Sequence, residues 1–87
     1  MGQLAYLPNI GKVVEKQLNA VGIETAEQLA RTGAENAWLK IHSIDSSACI
    51  HRLLALEGAI RGIKKTDIPA ERKAELKEFY NSHKIGG

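Results

Sequence analysis

Eighty-seven residues with a net charge of +2, from twelve Lys and Arg against ten Asp and Glu, suffice for one small core and not for two. So near a balance excludes a strong field around the whole molecule, and with it tight nucleic-acid binding driven by overall charge. The lone Cys49 excludes an internal disulfide and no Cys/His spacing suits zinc, so a reducing, cytoplasmic setting is expected.

No apolar run is long enough to span a bilayer, and Met1-Gly2-Gln3-Leu4 lacks the basic start and apolar stretch of a leader. Tyr6 stands where a myristoylation signal wants Ser or Thr, so no lipid anchor is expected and the chain is expected to keep away from membranes.

Apolar residues recur at helical spacing, and the alternation of strands is missing. Leu7-Pro8-Asn9-Ile10-Gly11 reads as a tight hairpin: Pro8 cannot sit inside a helix, while Asn9 and Gly11 tolerate positive φ. A first helix follows over about 11–21, with Ile10, Val14, Leu18 and Val21 on its apolar side. Gly22 closes it as a left-handed cap with Ile23 as the accompanying apolar contact. Thr25-Ala26-Glu27-Gln28 is a capping box that opens a short second helix to Arg31, expected to bury Leu29 and Ala30.

Gly33 caps that helix, and a third spans about 34–44 with Ala34, Ala37, Trp38 and Ile41 on one face. The only tryptophan is expected in the core. Asp45-Ser46-Ser47 combines turn formers with good N-caps, so a fourth helix is expected to start there and run to about Arg61. Leu53, Leu56, Ile60 and Ile63 make it the most apolar helix and hence the central one. After a connector with Lys64 and Lys65, Asp67-Ile68-Pro69 starts the last helix, with Asp67 as cap and Pro69 in the first turn. Interleaved Glu71, Arg72, Lys73, Glu75, Lys77 and Glu78 give it a solvated outer face, while Leu76, Phe79 and Tyr80 pack inward. Ile85-Gly86-Gly87 is expected to fray.

This inventory is poor in catalytic groups. His42, His51 and His83 fall on three elements and belong to no ligand or base motif; Cys49 and His51 diverge on one helix. Ser46 and Ser47 read as caps, and no Gly-rich nucleotide loop is present. No catalytic residue, cofactor or metal is therefore expected. Glu57 stands out as an acid on the apolar fourth helix. Arg61 four residues on offers an ordinary pair, and a semi-buried tie to Arg72 or Lys73 on the last helix is the alternative.

A reversal placed directly before a helix leaves amides pointing outward, which suits a phosphate. The candidate contact residues are Asn9, Ile10, Gly11, Lys12 and Lys16, with Lys64 and Lys65 joining if the fold brings them near. Asn9 is expected to weaken such a site, since a side chain stands where backbone should approach the ligand. The motif also reads as a single copy, whereas nonspecific duplex binders of this type generally use two. Gly58 and Gly62, four apart on the fourth helix, are a candidate face for close helix packing or for a dimer.

In order and spacing the chain resembles the C-terminal domain of the TfoX/Sxy family, bacterial regulators associated with natural competence. Leu7-Pro8-Asn9-Ile10-Gly11, Gly22-Ile23-Glu24-Thr25 with Leu29, and Gly33-Ala34 before Trp38-Leu39 carry the likeness. It continues through Leu53-Leu54-Ala55-Leu56-Glu57-Gly58-Ala59-Ile60-Arg61-Gly62 to Ile68-Pro69 and Glu71-Arg72-Lys73. The resemblance implies a non-catalytic all-α domain related in shape to helix-hairpin-helix and SAM-like modules. Family members often carry it behind an N-terminal α/β domain and promote transcription of competence genes; without that domain, a copy is expected to keep the fold under a changed function.

The expectation is therefore one compact five-helix domain over 1–87 with its core at about 4–80. It is an interaction module, monomer or homodimer, that binds an unidentified protein partner or, weakly, DNA. Nonspecific DNA binding through the hairpin and a self-associating structural module are the alternatives.

Overall fold

The computed structural model describes residues 4–84. A 3-10 turn, Leu4–Tyr6, leads into five helices: α1 Lys12–Ala20, α2 Ala26–Thr32, α3 Ala34–Ile44, α4 Ile50–Arg61 and α5 Ala70–Lys84, with a second 3-10 turn at Lys65–Asp67 before α5. No strand occurs among the described residues, so the protein is all-α as its periodicity predicts. The expected fraying of the last three residues lies outside the described residues.

α3 and α4 share the most extensive contact, and α4 also packs against α5, α2 and the second 3-10 turn, so it is central. Leu4, Leu18, Leu29, Trp38, Ile41, Leu53, Leu56 and Leu76 are fully buried, so the 3-10 turn and every helix contribute to one core. Burying each aliphatic side chain of this set stabilises the fold by about 1.5–3 kcal/mol. Trp38 stacks on His42 at 4.8 Å and takes Phe79 and Tyr80 edge-on at 6.0 and 5.6 Å. Its indole N–H is buried without a hydrogen-bond partner.

Helix ends follow local chemistry. Past the end of α1, Ile23 N donates to the Leu18 carbonyl at 2.8 Å and Gly22 N to Asn19 at 3.1 Å, with Gly22 at φ 89°. Those two bonds satisfy carbonyls the helix leaves open, and the positive φ is why glycine stands there. The capping box is complete: Thr25 Oγ1 accepts from Gln28 N, and Gln28 Oε1 accepts from Thr25 N. Gly33 sits between α2 and α3 at φ 85°.

Three local expectations need correction. Ala30 is exposed, because α2 is short and turns only Leu29 inward. Pro69, not Asp67, opens α5: its carbonyl accepts from Lys73 N, and Asp67 lies in the 3-10 turn. α4 begins at Ile50 rather than at Ser46 or Ser47, with Cys49 as a cap that makes no side-chain bond. Asp45 Oδ1 accepts from both Ser47 N and Ser47 Oγ, so these residues close a turn upon themselves instead of capping the helix.

That turn completes a second hairpin. Ile10 N donates to the Leu7 carbonyl before α1, and Ala48 N donates to the Asp45 carbonyl before α4. Gly11 caps α1 at φ −96°, ψ −177°, and Cys49 caps α4 at φ −109°, ψ −177°. Ile10 and Ala48 are buried in equivalent places. A turn with the same closing bond and an extended cap thus stands before α4 at 45–49, although the positive φ of Asn9 has no counterpart at Ser47.

Candidate functional site

Each hairpin is tied to the helix that follows the other. In the first, Asn9 takes the left-handed conformation at φ 70° and turns its side chain toward the end of α4. Its Nδ2 donates to the Ile63 carbonyl at 3.0 Å and more distantly to Ala55 at 3.5 Å, while Oδ1 accepts from Lys65 N at 3.1 Å. In the second, Asp45 Oδ2 accepts from Gln17 Nε2 on α1 at 2.7 Å and from Arg52 Nη1 at 2.8 Å. Hydrogen bonds from Ser47, Arg52 and Gln17 hold the Asp45 carboxyl well below the usual carboxylate range.

The Asn9 bonds have two consequences. They hold the connector that carries Lys64 and Lys65 against the hairpin that precedes Lys12. They also point the Asn9 side chain inward, so it does not stand over the outer face of the hairpin as its position in the motif suggests. Lys12, Lys16 and Lys64 are exposed and Lys65 is half-buried. Arg61 beside them is taken up by Glu57. Of the other candidates, Gly11 is exposed and open, whereas the Ile10 side chain is in the core and its amide donates to the Leu7 carbonyl.

The glycine face is also corrected. Gly58 is buried, and a Cβ there would lie 2.4 Å from Asn9 Nδ2 and 2.8 Å from the Ile63 carbonyl oxygen. What approaches α4 at Gly58 is the hairpin side chain and the connector, not another helix. Gly62 is exposed at φ 74° and serves as the left-handed cap of α4, with Ile63 N donating to Gly58.

Glu57 realises both readings at once. Only 6% of the residue is exposed; Arg61 Nε donates to Oε2 at 2.5 Å and Arg72 Nη2 to Oε1 at 3.1 Å. Arg72 also bonds Glu35 at 2.8 Å and Glu75 at 3.0 Å, joining α3, α4 and α5. Burial raises the Glu57 carboxyl, but the bonds from Arg72 and Arg61 outweigh it and the net direction is down. Arg72 in turn holds its proton more firmly than a free guanidinium. This cluster ties α3, α4 and α5 together.

Among the described residues no group of His, Cys, Asp and Glu is placed to hold a metal ion. His42 lies on Trp38, His83 on Phe79, and His51 is exposed on α4. Cys49 is half-buried. No helix among the described residues is long and apolar enough to cross a membrane.

The model of the TfoX C-terminal domain matches residues 1–80. The chain belongs to this family. It is 36% identical over 80 residues to Protein Sxy of Escherichia coli (strain K12), a match that takes in 92% of this chain and 38% of Sxy. The chain thus spans well under half of that relative. An uncharacterized protein from Listeria monocytogenes, solved in a triclinic form, superposes with a TM-score of 0.90 at 46% identity, covering 91% of this chain and 90% of that one. A tetragonal-form structure of a protein of unknown function from the same species gives 0.87 at 45% identity, over 90% and 96% of the two chains. The TfoX C-terminal fold thus stands in those structures with little besides it.

Proposed function

We propose that the protein is a non-enzymatic regulatory module, of the competence-regulator kind, whose basic end makes weak, sequence-independent contact with the phosphate backbone of DNA. The observation that supports it is the tie of Asn9 to Ile63 and Lys65, which draws the connector carrying Lys64 and Lys65 to the hairpin that precedes Lys12 and Lys16, with none of the four lysines in an ion pair among the described residues. A net charge of only +2 makes that patch local, which fits weak contact and a strong dependence on salt. The inward turn of Asn9 removes an objection that the sequence raises.

Fluorescence anisotropy with a labelled duplex tests this. Binding is expected to weaken as salt rises and on Lys12→Glu; absence of binding at micromolar protein in low salt overturns the reading. A second reading, docking on a protein partner, draws on Tyr6 and Val13, which are 90% and 66% exposed on either side of the first hairpin. Pull-down with wild type against a Tyr6→Ser, Val13→Ser double variant tests it, and equal recovery by both sinks it. Light scattering decides between monomer and homodimer.

A further inference from the structure

We propose that Asn9 is the positioning residue that assembles the basic end: without its side chain the hairpin lysines and the connector lysines no longer form one surface. The inference rests on the reading of that end as a contact for DNA. Lys12 and Lys16 belong to α1, while Lys64 and Lys65 lie in the segment between α4 and α5, more than forty residues away in sequence. Asn9 joins the two segments directly, with both ends of its amide group: Oδ1 accepts from Lys65 N and Nδ2 donates to the Ile63 carbonyl, which brackets Lys64 between them. The carboxamide can do this because it offers an acceptor and a donor on one planar group, and because asparagine tolerates the φ of 70° that aims it inward. Gly58 completes the device by leaving the space in which Asn9 lies. A glycine at position 9 would accept the same backbone and leave the connector held from the α4 side, where Ile63 N donates to the Gly58 carbonyl, without its bonds to the hairpin.

The test is a coupling measurement on the full chain with a short fluorescein-labelled duplex, read by anisotropy across a salt series. Four phosphate contacts cost roughly 150-fold in affinity between about 50 and about 200 mM salt, and two contacts roughly 12-fold. Wild type is expected to follow the steeper dependence and Asn9→Gly the shallower. The Lys64→Ala, Lys65→Ala double change is expected to weaken wild type but to have no further effect in the Asn9→Gly background. A purely structural role would shift the melting temperature without altering the salt slope or removing the effect of the lysines.

If Asn9→Gly keeps the wild-type slope, with the lysine effects adding independently, Asn9 does not assemble the surface and the DNA reading stands without it. If wild type does not bind the duplex at all, both fall. Circular dichroism checks that the variant is folded. Should it not be, Gly58→Ala, which pushes Asn9 and the Ile63 carbonyl aside from the α4 side, replaces it and is held to the same two outcomes.

Discussion

The two hairpins close with the same turn bond and are secured by opposite means. Residues 7–11 rely on neutral groups: a proline, an asparagine at positive φ, an open glycine cap, and a side-chain amide that bonds only backbone. Residues 45–49 rely on charge, a carboxylate that takes bonds from Ser47, Gln17 and Arg52. The difference decides what is left over. The second hairpin uses its nearby cation to neutralise Asp45, whereas the first uses none, so its lysines remain available to an outside anion.

The largest change should come from closing the space that the neutral clasp occupies. Gly58→Leu puts a side chain through Asn9 and against the connector backbone, and should cost about 3 kcal/mol, seen as a collapse of the thermal transition. Asn9→Ala should cost about 2 kcal/mol by chemical denaturation, since it loses the clasp and keeps an unfavourable φ; Asn9→Gly should lose about half of that.

The charged clasp should show itself in acid. The Asp45 and Glu57 carboxyls are both lowered in the folded state, so the stability they add is full above their ordinary values of 3.8 and 4.5 and is lost as pH falls below them. Asp45→Asn should flatten the acid limb of a pH-stability profile while leaving the neutral clasp intact; an unchanged limb would assign it to Glu57 alone. The smallest effect belongs to the exposed lysines of α1. Lys12→Ala and Lys16→Ala should move stability by less than about 0.5 kcal/mol, because both side chains are exposed.

The same contrast explains what could be read from the sequence. The first hairpin was legible because proline, asparagine and glycine restrict the backbone on their own. The Gly22 cap and the Thr25 to Gln28 box were legible for the same reason: each is a local device whose residues lie within a few positions. The second hairpin has no glycine or proline, and its decisive bonds reach Gln17 and Arg52, so Asp45, Ser46 and Ser47 looked like the start of a helix. Gly58 was recognised as a place of close approach, but the approaching group, Asn9, lies forty-nine positions earlier, and sequence spacing cannot report that. Glu57 offered two partners, and only packing shows that Arg72 spans three helices to reach it. Of the candidate site, the residue types were legible and their assembly was not, because a tether between distant segments leaves no periodic trace.

The burial of Trp38 has a practical consequence. It is the sole tryptophan, it is fully enclosed, and it lies against His42, Phe79 and Tyr80. Its emission therefore shifts to longer wavelength only when the core opens to water, and no molecule resting on the surface can touch the ring. The protein carries an intrinsic optical reporter that answers to unfolding and is blind to contact at the basic end, so the two can be followed separately in one cuvette.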